Sequence, residues 1–65
     1  MNISKLRKFG WNVYPNLLIK EQEYPYCKCV VSVDEGEVRR VYWTCVGVPV
    51  EVKEKFLNEL DKCKR

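Results

Sequence analysis

The chain is 65 residues long, with 46% apolar and 12% aromatic residues, so it is too apolar for a disordered segment and too short for several domains. It has no histidine and few hydroxyl side chains, which excludes most hydrolase sites, and we expect neither an enzyme nor a cofactor. The net charge is only +3. No apolar stretch reaches the ~18 residues of a membrane span, and the basic start lacks the apolar segment of a signal peptide. We therefore expect a cytoplasmic protein.

Residues 1–16 are predicted to form an N-terminal arm. Ile3, Leu6 and Phe9 recur every three residues, which indicates one or two helical turns. A cap at Asn2 or Ser4 and a stop at Gly10 would bound this helix. The segment 11–16 is expected to be extended because of Pro15, with Trp11 covering an open edge of the core.

Residues 17–46 are predicted to form a three-stranded antiparallel sheet. The first strand runs from Leu17 to Tyr24, before Pro25, and the other two cover residues 26–33 and 37–46. Between them, residues 34–36 predict a three-residue turn with Gly36 in a bulge. Val33 would then lie opposite Glu37, with the pairs Val31–Arg39, Cys29–Val41 and Cys27–Trp43 on one side of the sheet.

Residues 49–63 are predicted to form a helix, with Pro49 at its first position. Its apolar stripe consists of Val52, Phe56, Leu60 and Cys63, and Glu59 is placed with Lys62 on the solvated side. The expected fold is α+β: a small antiparallel sheet with the C-terminal helix on one face, stapled by disulfides.

The four cysteines all point toward the interior in this arrangement. Disulfides commonly stabilise small domains, and the favoured pairing is Cys27–Cys45 and Cys29–Cys63. A helix that runs back along the preceding strand would end beside Arg40 or Arg39 and so place Cys63 near Cys29, while Cys45 lies diagonal to Cys27. Buried free thiols are the first alternative, and a zinc site is the second. The separation of two between Cys27 and Cys29 is unusual for zinc, and no second close pair exists, so we predict no metal.

The opposite face of the sheet is the candidate binding surface. We expect it to present Tyr26, Lys28, Arg40 and Tyr42, joined by Lys20 and its alternate neighbours Leu18, Gln22 and Tyr24, with Lys5, Arg7 and Lys8 extending it as a basic arm. Rings that stack on bases and cations that neutralise phosphates favour nucleic acid as the partner. The alternatives are an ordinary solvated sheet face, or a protein interface built on the same tyrosines and arginine.

The composition also bears on the protein's origin. The chain lacks alanine and is rich in Lys and Glu, a pattern typical of very hot organisms, whose cells tolerate intracellular disulfides. The predicted outline is similar in architecture to the small archaeal chromatin proteins, a resemblance that implies DNA binding through a sheet face. The second hypothesis is an interaction or inhibitor protein of viral or mobile-element type. An exposed edge strand also predicts that two copies can pair as a homodimer.

Overall fold

We describe the fold from a computed structural model, which covers residues 1–23 and 26–64. Within these ranges the chain forms an α+β fold with a four-stranded antiparallel sheet in the order β1-β2-β3-β4. The elements are α1 (Ile3–Lys8), β1 (Asn12–Val13), β2 (Leu17–Glu23), β3 (Tyr26–Asp34), β4 (Glu37–Trp43) and α2 (Val50–Lys62). The α+β prediction is confirmed, but the predicted count of three strands is low by one. The predicted strand end at Tyr24 and Pro25 lies outside the described residues.

The N-terminal arm contributes both a helix and the extra strand. The side chain of Asn2 caps α1 by accepting a hydrogen bond from the backbone N–H of Lys5 at 3.1 Å. Gly10 has a φ of +96°, a conformation that other residues rarely adopt, and it turns the chain out of the helix. The chain then pairs with β2, with Asn12 opposite Ile19, so the sheet begins five residues earlier than predicted.

The hairpin between β3 and β4 has a two-residue turn, and the predicted three-residue turn is wrong. Asp34 lies opposite Glu37, and the two turn residues, Glu35 and Gly36, both have positive φ, at 52° and 78°. This is the mirror-image turn whose twist matches that of the flanking strands. Glu35 thus occupies a left-handed conformation that glycine or asparagine enters more easily.

A bulge in β4 follows this turn. Val33 pairs with Val38, yet Ser32 pairs with Arg40, so Arg39 is an extra residue in the ladder. Val38 packs against the core, whereas Arg39 and Arg40 are both exposed. The predicted inward position of Arg39 is therefore wrong. Beyond the bulge the register differs from the prediction by two residues, which keeps each remaining side chain on its predicted face.

The core lies between α2 and the inner face of the sheet. Leu18, Cys29 and Val31 pack there against helical and N-terminal residues, namely Leu6, Trp11, Phe56, Leu60 and Cys63. The ring of Phe56 stacks on Trp43 at a centroid distance of 5.2 Å and meets the edge of Trp11 at 5.7 Å. The predicted placement of both tryptophans against the core is thus confirmed, and Trp11 is only 2% exposed.

Helix α2 is slightly shorter than predicted. Pro49 is the cap residue before the helix instead of its first residue, and Cys63 follows its last residue. In the part of the chain that the structure describes, no helix is both long and apolar enough to cross a bilayer.

One of the two predicted disulfides is formed. Cys27 and Cys45 are bonded, with their Cα atoms 5.7 Å apart, and they join β3 to the segment after β4. The bond between Cys29 and Cys63 is absent, and both thiols are free and buried. The predicted pairing assumed that Arg40 lies opposite Val30, but the residue opposite Arg40 is Ser32, about 6.6 Å farther from Cys29 along β3.

Candidate binding face

The outer face of the sheet is the side that points away from α2. Neither helix packs on it, because the core cluster draws on the opposite side of each strand. The structure brings four of the predicted residues together here, Tyr26, Lys28, Arg40 and Tyr42, as their alternation in β3 and β4 requires. The face also includes Val30, Ser32 and Asp34 from β3, Glu37 from β4, and Leu17, Ile19, Glu21 and Glu23 from β2.

An apolar row crosses the middle of the outer face. Ile19, Val30 and Tyr42 lie opposite one another on three neighbouring strands. Val30 is only 7% exposed because its neighbours cover it, whereas Tyr42 is 48% exposed and presents its ring to solvent. The row is thus an apolar strip that ends in an exposed aromatic ring.

Acidic side chains offset the basic ones on the outer face. Glu21 lies directly opposite Lys28, and Glu23 lies opposite Tyr26 at the same end of the sheet. At the hairpin end, Asp34 and Glu37 lie near Arg39 and Arg40, so acidic side chains are at least as numerous as basic ones on the described part of this face. Opposite charges at facing positions offset each other, so the outer face is not a field of positive potential.

Lys20 is not on the outer face, and its predicted place there is wrong. It is paired with Cys29 on the inner side, and Leu18 and Gln22 share that side. The Nζ of Lys20 lies 2.6 Å from Oε1 of Glu59 and also donates to the carbonyl of Phe9 at 2.6 Å.

Glu59 is correspondingly buried, and its predicted position on the solvated side of α2 is wrong. It is 6% exposed, and its Oε1 also accepts a hydrogen bond from the indole N–H of Trp11 at 3.1 Å. The ammonium of Lys20 is 4.6 Å from the centroid of the Phe56 ring, within cation–π range. Sequence reasoning missed this cluster, although a buried Trp11 needs an acceptor and Glu59 lies three residues beyond Phe56, beside the apolar stripe.

The basic residues of α1 do not extend the outer face. Leu6 of α1 is part of the core, and the backbone N–H of Asn2 donates to the carbonyl of Cys63 at 2.6 Å, so α1 lies on the same side of the sheet as α2. Lys5, Arg7 and Lys8 are exposed there. The predicted continuous basic surface is therefore divided between two sides of the molecule.

The thiols offer little reactivity. Burial raises the pKa of the Cys29 thiol to about 11, against a smaller lowering by the charge of Lys20. The reactive thiolate is thus scarce at neutral pH. Among the described residues, no group of three or more His, Cys, Asp or Glu side chains is arranged to hold a metal ion.

Sequence reasoning also missed a second feature, which lies beside β4. Leu57 is off the predicted apolar stripe of α2 and is 47% exposed, next to a groove lined by Val38 and Val41. An exposed leucine on the polar side of a predicted helix is the signal that could have indicated it.

The chain matches no protein-family model, and neither the curated proteins nor the solved structures gave a match.

Proposed function

We propose that this chain is a non-enzymatic binding module that recognises another protein through its outer face. The observation that supports this is the exposed ring of Tyr42 at the end of the apolar row formed with Ile19 and Val30. Aromatic side chains over an apolar centre, flanked by an arginine such as Arg40, are the usual anchors of protein interfaces.

The charge distribution favours protein over nucleic acid. Lys20, which was expected to add a positive charge to the face, is inside the molecule and is neutralised by Glu59. Glu21 and Glu23 are on the face itself and would repel phosphates. A polyanion would therefore meet at least as many repulsive as attractive side chains, whereas a protein surface can satisfy both signs.

The test compares two tyrosines of similar exposure. Tyr42 is 48% exposed on the outer face, and Tyr14 is 52% exposed in the turn between β1 and β2. The immobilised chain is used to capture proteins from a lysate of the source cells. The partner should be retained by the unchanged chain and by Tyr14→Ala and lost from Tyr42→Ala.

Fluorescence titrations of DNA and RNA at low and high salt form the second arm. Salt-dependent binding that Arg40→Glu abolishes and Arg7→Glu preserves would replace the proposal with nucleic-acid recognition. Arg7 is the matched control because it is also exposed, but on α1.

A further inference from the structure

Strand β4 forms an open edge of the sheet. It is the last strand in the order, so only one of its sides is paired. The backbone N–H of Thr44 donates to the carbonyl of Lys28 at 3.0 Å, which fixes the phase of the ladder. In an antiparallel pair, alternate residues turn their backbone groups toward the partner strand. Tyr42 thus bonds to β3, and the N–H and C=O groups of Val41 and Trp43 point to the open side.

A groove runs beside this edge, between β4 and α2. Its volume is about 320 Å³, and its apolar lining is provided by Val38, Val41, Leu57 and Leu60, with Asn58, Asp61 and Lys64 completing it. Leu57 is 47% exposed there. An apolar groove directly below unpaired backbone groups suits an extended chain, which can form ladder hydrogen bonds and insert every second side chain.

The charged residues at this edge indicate which kind of extended peptide β4 can bind. Arg39 is 3.9 Å from Asp34 and 3.6 Å from Glu37, so its charge has partners within the hairpin. Arg40 has no ion-pair partner among the described residues, and it is exposed on the outer face beside the edge. A carboxylate at the facing position of an added strand would supply one.

The side chain of Arg40 disfavours the pairing of β4 with β4 of a second copy of this protein. An antiparallel pairing that overlaps the full length of β4 in both copies is centred on Arg40, and it sets the two Arg40 side chains directly opposite each other. The bulge at Arg39 further distorts the edge that a second copy would have to match.

We propose that β4 receives an extended peptide segment of alternating apolar and acidic residues as a fifth strand. A residue opposite Val41 projects to the inner side, where an apolar side chain enters the groove beside Leu57. The next residue, opposite Arg40, projects to the outer face, where a carboxylate pairs with the guanidinium. This inference rests on the proposed function and names the class of its protein partner.

The test uses a blocked peptide of alternating valine and glutamate, with a peptide of alternating valine and lysine as its control. Backbone amide NMR of the full chain follows the titration. The glutamate peptide should shift and protect the amides of Val41 and Trp43 against exchange, and the lysine peptide should bind at least about tenfold more weakly. Equal binding of both peptides, or shifts confined to other strands, would overturn the proposal.

Two leucine variants separate the groove from general effects on the fold. Leu57→Lys should weaken the glutamate peptide about tenfold, because it places a flexible charged chain in the groove. Leu17→Lys, at a leucine that is 39% exposed on β2, should leave binding unchanged. Concentration-dependent dimerisation that protects the same amides without peptide would show that a second copy is the occupant and would overturn the proposal.

These outcomes are distinguishable from those of the proposed function. If Tyr42→Ala loses the partner and Leu57→Lys retains it, the outer face is supported as the interface and the added strand at β4 is contradicted. If the peptide binds at β4 but no captured protein depends on Tyr42, the added strand is supported and the outer face is contradicted as an interface.

Discussion

The ammonium group of Lys20 lies 2.6 Å from Oε1 of Glu59, and the two side chains are only 14% and 8% exposed. This ion pair connects the middle of β2 to α2 inside the core. It is reinforced by the indole N–H of Trp11, which donates to the same oxygen, and by the carbonyl of Phe9, which accepts from Lys20. A buried ion pair of this kind depends on both members, since either one alone is an uncompensated charge.

Removing only Lys20 should therefore destabilise the fold more than neutralising the pair. Lys20→Met leaves the charge of Glu59 buried, and we expect a loss of about 3–5 kcal/mol in the free energy of unfolding. The double variant Lys20→Met/Glu59→Gln keeps an acceptor for Trp11 without the charge and should recover part of that loss. Urea unfolding at pH 7 measures both, and equal losses would contradict the argument.

Reduction of the Cys27–Cys45 disulfide should destabilise the protein. The bond closes a loop between residues 18 apart, and the chain-entropy relation gives about 3 kcal/mol for a loop of this size. Urea midpoints with and without dithiothreitol test this, and Cys27→Ser/Cys45→Ser should match the reduced protein. A urea midpoint that does not change on reduction would contradict this prediction.

Alkylation provides the corresponding count of thiols. Without reductant, the unfolded chain should take up two labels, at Cys29 and Cys63, and the native chain should resist labelling because both are buried. Labelling of neither thiol in urea would reveal a second disulfide.

Stability should fall as the pH rises from 9 to 11. The pKa of the Cys29 thiol is about 11 in the fold against an ordinary value of 9.0, so between these values the unfolded chain releases a proton that the folded chain retains. The contribution is fully present below pH 9 and is lost through pH 11, by about 1–3 kcal/mol. Urea unfolding of Cys29→Ala across this range should show a shallower decline. Parallel curves for the two proteins would contradict the prediction.

Glu35→Asn should stabilise the hairpin. Glu35 has a φ of 52° at the first position of a turn for which the pair asparagine–glycine is preferred, and Gly36 already occupies the second. We expect a gain of about 0.5–1 kcal/mol, measured as a higher urea midpoint at constant slope. Glu35→Gln removes the charge without easing the backbone, so an equal gain from it would assign the effect to charge.

The sequence predicts the elements better than their registers. The stripe that includes Phe56 and Leu60 identifies α2, and the glycine at position 36 locates the hairpin, because each signal is local. Tyr42 and Lys28 keep their predicted side because the register differs by an even number of residues. The bulge at Arg39 has no comparable local signal.

The side of β2 could not be predicted for a different reason. Its two alternating sets both mix apolar and charged residues, with Leu18 and Lys20 in one and Leu17 and Glu21 in the other. Hydrophobic alternation therefore does not decide between them. The contact that sets the side is between Lys20 and Glu59, which are 39 residues apart in the chain.

The extra residue in β4 has a protective consequence. If Arg39 were deleted, Ser32 could still face Arg40 and Val31 could still face Val41, so the core would lose nothing. What would change is the margin of the sheet, which would become straight and less charged. Straight, weakly charged margins are the templates on which identical chains stack into fibrils. We therefore expect Arg39 to protect the open side of β4 against such stacking.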